Sequence, residues 1–185
     1  MLRYQINPHF LFNSLNSIKA LAFENPEQAS FMITELSEFL RITLSYNDKI
    51  FIPVSEEIEI IEKYLTIEKI RFEERLDYNI SVDSTLIDKK ILCFITQPLV
   101  ENAIKHGMAY KPDGIRLSVF FRQIDQCIAI EIVNEGKLIE NGNSTGTGLK
   151  NVRERLENAY FKEYILTMTE EGQFVKVRLL LPEIT

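Results

Sequence analysis

The sequence predicts an α+β fold in which a pair of helices precedes a domain with a mixed, mostly antiparallel sheet. Apolar residues recur with helical spacing in two successive segments at the start of the chain. Short segments of alternating apolar and polar residues dominate the last third, and helical segments lie between the two regions. We therefore expect a helical unit over 1–50 and an α/β domain over 51–185.

The composition narrows the possible classes of function. The 185 residues are 45% hydrophobic and 26% charged, which favours a sizeable core over disorder. A formal net charge of −6 argues against a general affinity for nucleic acid or for an anionic membrane. No apolar run approaches the roughly 20 residues of a membrane-spanning helix. Cys93 and Cys127 lie in apolar runs, so we expect buried free thiols and a reducing compartment.

Two amphipathic helices are predicted at the start of the chain, over about 9–22 and 26–46. In the first, His9, Asn13 and Asn16 fall on a polar face. Its apolar stripe consists of Leu11, Leu15, Ile18 and Ala22. The seam of the second consists of Met32, Leu36, Phe39, Leu40 and Thr43. Such a helical hairpin often completes its core by pairing with a second copy. Pro8 either begins the first helix or kinks a helix that continues from upstream.

The rest of the chain predicts a helix-and-strand domain. A third helix starts near Ser55 and runs past Phe72, and a fourth covers 91–106, where Pro98 should kink it. Strands are predicted over 77–82, 115–123, 127–134, 163–170 and 174–181, and a glycine-rich loop leads into a fifth helix over 149–160.

The stretch QPLVENAIKHG, residues 97–107, is the first candidate for chemistry. Asn102, Lys105 and His106 share one helix face, and Glu101 lies about 100° away around the helix. An amide oxygen suits Mg²⁺, a lysine suits phosphate, and a carboxylate can accept a proton. A plain solvated helix face explains the spacing equally well.

Two further segments are candidates for a ligand site. In STGTGLKNVRERL, residues 144–156, two glycines run straight into a helix, so backbone amides could surround an anion. Such loops also serve as ordinary helix starts. In IEIVNEGKL, residues 130–138, Asn134 and Gly136 end a strand and could contact the base of a ligand. Taken alone, a simple turn is the better interpretation of that segment.

Together these segments resemble the nucleotide-binding region of the GHKL ATPase superfamily, whose fold is the Bergerat α/β sandwich. Nearly the whole chain resembles the catalytic core of LytS/YehU-type sensor histidine kinases. In that family NPHFLFN is the phosphoacceptor box, QPLVENAIKHG is the N box and GTGLKNVRERL is the G2 box.

The resemblance implies ATP and Mg²⁺ as cofactors. His9 would receive the γ-phosphoryl group, Asn102 would hold Mg²⁺, and Lys105 and His106 would lie near the phosphates. The nucleotide-binding set is completed by Asn134, Gly136, Gly146, Thr147, Gly148, Leu149 and Asn151. The implied partners are a response regulator receiver domain and a second copy of the chain. The implied location is the cytoplasmic portion of an inner-membrane sensor whose membrane segments lie upstream.

The chain departs from the family pattern at two points. Asn134 stands where an aspartate normally accepts from the adenine amino group, and Leu138 replaces a glycine. We expect ATP binding to be weakened but not abolished, because a neutral acceptor is weaker by about 1 kcal/mol. Phe10 follows His9 where commoner kinase classes have an acidic residue, so we assign the role of base to Glu101. A catalytically degenerate, dimeric signalling scaffold is the alternative.

Overall fold

The computed structural model describes residues 7–46, 48–138, 147–161 and 163–184. The helices are α1 (Pro8–Glu24), α2 (Pro26–Ser45), α3 (Val54–Phe72), α4 (Gln97–Tyr110) and α5 (Thr147–Tyr160). The strands are β1 (Phe51–Pro53), β2 (Leu76–Val82), β3 (Lys90–Leu92), β4 (Ile115–Ile124), β5 (Cys127–Glu135), β6 (Ile165–Glu171) and β7 (Phe174–Pro182). Among the described residues, no helix combines the length and apolar character that crossing a membrane requires.

The main sheet has five strands in the order β2-β4-β5-β7-β6. Only the β2–β4 pair is parallel, and the other three pairs are antiparallel. The predicted mixed, mostly antiparallel sheet is therefore confirmed. Asp125, with φ 53°, turns the chain between β4 and β5, and Gly172, with φ 66°, does so between β6 and β7. Strands β1 and β3 form a separate antiparallel pair that the sequence reading missed.

Helices pack on one face of the sheet, and a cluster of charged side chains lies on the other. Helix α4 packs across β4 and β5 and contacts α5, while α3 packs beside β2. On β5, the carboxylate of Glu131 contacts Arg122 of β4 at 3.5 Å and Arg178 of β7 at 3.2 Å. The core contains Leu117, Val119, Ile130, Ile132, Val177 and Leu179. Both cysteines are free thiols, as the sequence predicts, but only Cys93 is buried and Cys127 is half-buried.

The helical pair packs against α3 through aromatic rings and an ion pair. The ring centroid of Phe10 lies 5.4 Å from that of Phe39 and 5.0 Å from that of Tyr64. The ammonium of Lys63 on α3 contacts the carboxylate of Glu35 on α2 at 3.1 Å. Residues on both sides of the expected boundary near residue 50 thus share one core. The boundary itself stays a prediction.

The predicted apolar stripe of the first helix is partly wrong. Helix α1 buries Phe10 and Ser14, whereas Leu15 is 55% exposed. The physical reason is that the rings of Phe39 and Tyr64 surround Phe10, which turns the Phe10 side of the helix inward. Pro8 occupies the first turn of α1, so it begins this helix rather than kinking it.

The predicted helix over 91–106 is wrong in its first third. Ile91 and Leu92 belong to β3, a connection follows over residues 93–96, and α4 begins at Gln97. Pro98 therefore lies in the first turn, where an amide hydrogen has no intrahelical partner to lose. It begins the helix and does not kink it.

The connection over residues 93–96 is held by two side chains from distant helices. The buried carboxylate of Glu57 on α3 accepts from the backbone N–H of Phe94 at 2.8 Å and of Thr96 at 2.7 Å. Arg155 on α5 donates to the carbonyl of Phe94 at 2.7 Å and also to that of Cys93. Burial raises the pKa of Glu57, while the two N–H donors and the nearby Arg155 charge oppose that rise. Phe94 keeps its positive φ of 54° because both of its backbone polar groups have partners.

We predict that Glu57→Gln destabilises the protein by about 2–4 kcal/mol, because an amide can accept one of the two N–H groups and turns a donor towards the other. Urea unfolding measures this change. The matched control is Glu59→Gln, at an exposed position of the same helix. Equal unfolding midpoints for the two variants would show that the 93–96 connection does not depend on Glu57.

Candidate functional site

Helix α4 carries the polar residues that the N-box stretch predicts. Asn102 and His106 are half-buried and Lys105 is exposed, and all three lie on the helix that begins at Gln97. Burial lowers the pKa of His106, and the adjacent Lys105 charge lowers it further. The ring of His106 is consequently neutral near pH 7, so Lys105 is the cationic member of the set.

Asn134 lies buried at the end of β5 with its amide orientation fixed. Its Nδ2 donates to the backbone carbonyl of Glu135 at 2.8 Å. Because a carbonyl oxygen can only accept, the amide nitrogen must face it, and Oδ1 is left as the acceptor for a further partner. That chemistry fits an exocyclic amino group such as the one on adenine.

Gly107 allows α4 to approach this asparagine closely. A Cβ at residue 107 would lie 3.2 Å from Nδ2 of Asn134, 3.1 Å from the carbonyl of Glu135 and 2.8 Å from Cδ1 of Ile115. A Cβ at Gly136 would lie 3.0 Å from the same Nδ2. At both positions a side chain would collide with the Asn134 amide, so the two glycines permit the close packing of α4 and of the chain after β5 around this residue.

Glu135 is a residue of the site region that the sequence analysis missed. Its buried carboxylate contacts the ammonium of Lys111 at 3.0 Å and accepts from the backbone N–H of Arg116 at 2.9 Å. The Lys111 hydrogen bond, followed by the Arg116 N–H, lowers the pKa of Glu135 and keeps it ionised. The carboxylate thereby joins the residue after α4 to the start of β4. Its position directly after Asn134 was the only signal available.

The fifth predicted helix is confirmed as α5, which begins at Thr147, two residues earlier than expected. Gly148 is exposed, and a Cβ there would meet no described heavy atom within 4 Å. Leu149 packs against the core, and Asn151 is exposed. Gly146 and the side chain of Thr147 lie outside the described residues. The contacts of Arg155 with residues 93–96 join α5 to the connection that precedes α4.

His9 is exposed in the first turn of α1. The side-chain oxygen of Asn7 accepts from the backbone N–H of His9 at 3.0 Å and caps the helix. The side-chain amide of Asn13 lies 3.2 Å from Nδ1 of the ring. The same amide nitrogen lies 3.3 Å from Nε2, so Asn13 contacts the ring without adding a charge beside it.

Glu101 connects α4 to the segment that carries His9. One carboxylate oxygen accepts from Nδ2 of Asn7 at 3.3 Å, and the other accepts from Nε2 of Gln97 at 3.1 Å. The structure thus brings the N-box carboxylate next to the residue two positions before His9. Glu68 on α3 is buried nearby and contacts Arg71 at 2.7 Å. Burial raises the pKa of Glu68 to about 7, and Arg71 opposes that rise while the charge of Glu101 adds to it.

Known proteins are similar to this chain in sequence and in fold. Residues 1–76 match the family model described as histidine kinase. The sensor histidine kinase BtsS of Escherichia coli strain K12 is 37% identical over 98% of this chain and 33% of its own length. The sensor protein LytS of Bacillus subtilis strain 168 is 31% identical over 92% of this chain and 31% of its own length. The chain therefore spans about a third of the length of these curated relatives.

A solved structure supports the fold assignment. Histidine kinase ThkA, in complex with response regulator protein TrrA, matches with a TM-score of 0.53 and 15% identity. The match covers 96% of this chain and 60% of ThkA. The likeness shows that this chain shares the fold of that protein.

We predict that Gly107→Ala lowers the stability by about 1–3 kcal/mol, although alanine is normally the better helix former, because its methyl group would displace Asn134 or Ile115. Thermal or urea unfolding measures the change. Gly148→Ala is the matched control, because a methyl group there meets no described neighbour. The close approach of α4 to β5 would be refuted if Gly107→Ala proved as stable as the control.

Proposed function

The chain belongs to the histidine kinase family, and on this premise we propose that it binds MgATP, phosphorylates its own His9 and passes the phosphoryl group to an aspartate of a response regulator. One observation carries the proposal. Helix α4 bears Asn102 and Lys105, and the same helix contacts the His9 segment through the hydrogen bond from Asn7 to Glu101. The nucleotide-binding residues and the acceptor are therefore part of one connected arrangement.

The proposed nucleotide site uses residues of α4, β5 and α5. Bound MgATP would supply the γ-phosphoryl group for a ring nitrogen of His9, with ADP as the leaving group. The amide oxygen of Asn102 would coordinate the magnesium, and the ammonium of Lys105 would neutralise phosphate charge. The neutral ring of His106 can donate one hydrogen bond without adding charge. The amides of Gly146, Thr147, Gly148 and Leu149 would surround the phosphates, with Asn151 supporting that turn.

Asn134 would recognise the adenine ring of ATP. Its Oδ1 is the acceptor left for the adenine amino group, because Nδ2 donates to Glu135. Gly136 would allow the ring to approach the strand end. We propose that this neutral contact weakens ATP binding by about 1 kcal/mol relative to an aspartate.

His9 has the exposure and surroundings that a phosphoryl acceptor needs. Phosphoryl transfer depends mostly on positioning and on charge neutralisation, so the acceptor must be accessible. Asn13 contacts the ring without adding a charge, in contrast to a neighbouring carboxylate, which would favour the imidazolium. The proton that leaves the ring nitrogen needs an acceptor, and Glu101 is our proposal for it.

The alternative is a catalytically degenerate GHKL-like scaffold that signals through conformation alone. The substitutions at Asn134 and Leu138 favour it. In the structure the backbone N–H of Leu138 donates to Glu170 at 2.8 Å, so that segment is joined to β6. The titration of the chain with MgATP separates the two functions, since no binding at millimolar nucleotide would favour the scaffold.

The partners follow from the family. The ThkA structure contains a response regulator protein, and this supports a receiver domain as the phosphoryl acceptor for the present chain.

A homodimer is supported by large apolar side chains that stand exposed on α1 and α2. These are Phe12, Leu15, Phe23, Phe31, Ile33 and Leu44. A cytoplasmic position beneath a membrane sensor stays a prediction from the resemblance.

We predict that incubation with labelled ATP and Mg²⁺ gives an acid-labile, alkali-stable label that His9→Gln removes. Lys19→Gln, at an exposed position of the same helix, is the matched control and must still take up an acid-labile label. A label that persists in His9→Gln would contradict the assignment of the acceptor.

We predict that Glu101→Gln lowers the rate of His9 labelling by about 10² while ATP affinity stays near that of the parent, as expected for a lost base. Glutamine can keep its oxygen towards Nδ2 of Asn7 and turn its NH₂ towards Gln97, whose buried Oε1 is an acceptor without a hydrogen bond among the described residues. The contact between α4 and α1 therefore survives. Single-turnover labelling measures the rate, with Glu62→Gln at an exposed position of α3 as control. A rate within about twofold of the parent would exclude Glu101 as the base.

We predict that replacing both Phe12 and Leu15 by serine shifts the chain from dimer to monomer in sedimentation experiments. These side chains are 67% and 55% exposed, so their loss should leave the monomer folded. Phe161→Ser, at a position that is 84% exposed after α5, is the control and should remain dimeric. A monomeric parent chain would contradict the homodimer, and a dimer that survives the double substitution would place the interface elsewhere.

A further inference from the structure

We propose that Asn7 is a positioning residue that fixes the phosphoacceptor turn of α1 against α4. The oxygen and the nitrogen of its side-chain amide make different hydrogen bonds. Oδ1 accepts from the backbone N–H of His9 at 3.0 Å and caps α1. Nδ2 donates to Oε2 of Glu101 at 3.3 Å. The effect on phosphorylation rests on the proposed function, whereas the contact between the helices does not.

The orientation of the Asn7 amide follows from its partners. A backbone N–H can only donate, so the atom that faces His9 must be the amide oxygen. The amide nitrogen is then turned towards Glu101, where a carboxylate oxygen can only accept unless it is protonated. Both hydrogen bonds therefore depend on the same orientation. A plain capping residue such as serine or aspartate would satisfy the first bond and not the second.

The carboxylate of Glu101, which accepts the hydrogen bond from Asn7, is itself held in place. The second oxygen of Glu101 accepts from Nε2 of Gln97 at 3.1 Å, one turn earlier on the same helix. The Gln97 side chain is 1% exposed and cannot move freely. Glu68 on α3 faces the same carboxylate as a second acidic group, and Arg71 accompanies it. Asn7 is thus a neutral donor from α1 to a carboxylate that already has an acidic neighbour.

A second contact fixes the same turn of α1. Phe10 is three residues after Asn7, and its ring is enclosed by those of Phe39 and Tyr64. Asn7, at the cap position, contacts α4, and Phe10, in the first turn, packs against α2 and α3. The start of α1 is thus held at two points. His9 lies between them in sequence and its side chain is exposed. The position of the His9 ring is therefore set by both contacts.

The Asn7 contact between α1 and α4 matters because the rate of phosphoryl transfer depends on the geometry of the acceptor. A displacement of about 1 Å at the acceptor can lower a rate by about 10². Loss of the Asn7–Glu101 hydrogen bond would remove the contact between this turn and α4, while Phe10 and Leu11 would still pack against the core. The turn could then shift relative to α4, and His9 would spend less time in the productive position.

The experiment uses substitutions that keep the cap and remove the amide donor. In Asn7→Asp and Asn7→Ser an oxygen still caps α1, and aspartate also brings a second carboxylate to Glu101. Asn25→Asp is the matched control. Asn25 caps α2 by accepting from the backbone N–H of Gln28 at 3.1 Å, and its other described side-chain partner is also Gln28.

We expect Asn7→Asp to lower the rate of His9 labelling by about tenfold or more, and Asn7→Ser to lower it less. ATP affinity should stay within about twofold in both, because Asn7 lies outside the nucleotide site. Asn25→Asp should label at the parent rate. The proposal is overturned if Asn7→Asp labels as fast as Asn25→Asp, or if the loss appears only in ATP affinity.

Hydrogen exchange without nucleotide provides a readout that does not need kinase activity. We expect the amides of residues 9–11 to exchange about tenfold faster in Asn7→Asp than in the parent or in Asn25→Asp. The double variant Asn7→Asp/Glu101→Gln places the amide on α4 and the carboxylate on α1, and it should restore slow exchange. If the parent takes no label while this exchange pattern holds, the proposed kinase function fails and the contact stands. Unchanged exchange in Asn7→Asp would refute the contact.

Discussion

The start of α4 depends on the hydrogen bonds that Glu57 and Arg155 make to residues 93–96. A carboxylate from α3 satisfies two backbone donors, and a guanidinium from α5 satisfies two backbone carbonyls. A connection between a strand and a helix would otherwise bury several polar groups without partners, at a cost of about 1–3 kcal/mol for each. The same four hydrogen bonds set the direction in which α4 leaves β3. They also join α3, α4 and α5 at one point, so the three helices cannot shift independently.

Helix α4 contacts both the end of β5 and the start of α1, the two regions that carry Asn134 and His9. Its Gly107 approaches Asn134 at the end of β5, and Lys111 directly after it is joined to Glu135. Its Glu101 reaches in the opposite direction, to Asn7 at the start of α1. One helix thus lies between the proposed base-reading residue and the proposed phosphoryl acceptor. The proposed assignment of metal, phosphate and proton contacts to one short N-box stretch requires an arrangement of this kind.

The sequence predicted the parts of the fold that depend on local patterns. The long strands β4 and β5, the helix after the glycine-rich segment and the hairpin of α1 and α2 all have clear periodicity. The strand β3 and the true start of α4 could not be found in this way, since an apolar run such as KILCFIT fits a strand or a helix equally well. The inward side of α1 was missed because the rings of Phe39 and Tyr64, distant in sequence, decide it. Glu57, Arg155 and Glu135 were missed for the same reason, since their partners are at least 19 residues away. The identity of the site residues came from motif resemblance, and the Asn7–Glu101 contact came from the structure alone.

The most direct test of the account is to locate the phosphoryl group after incubation of the chain with MgATP. Mass spectrometry under non-acidic conditions can examine the tryptic peptide 4–19, which contains His9 and ends at Lys19. We predict a mass increase of one phosphoryl group on that peptide, assigned by fragmentation to His9. An unmodified peptide from a chain that binds nucleotide, or a phosphoryl group found on another residue, would contradict the claim that α4 brings a nucleotide and the α1 histidine into one site.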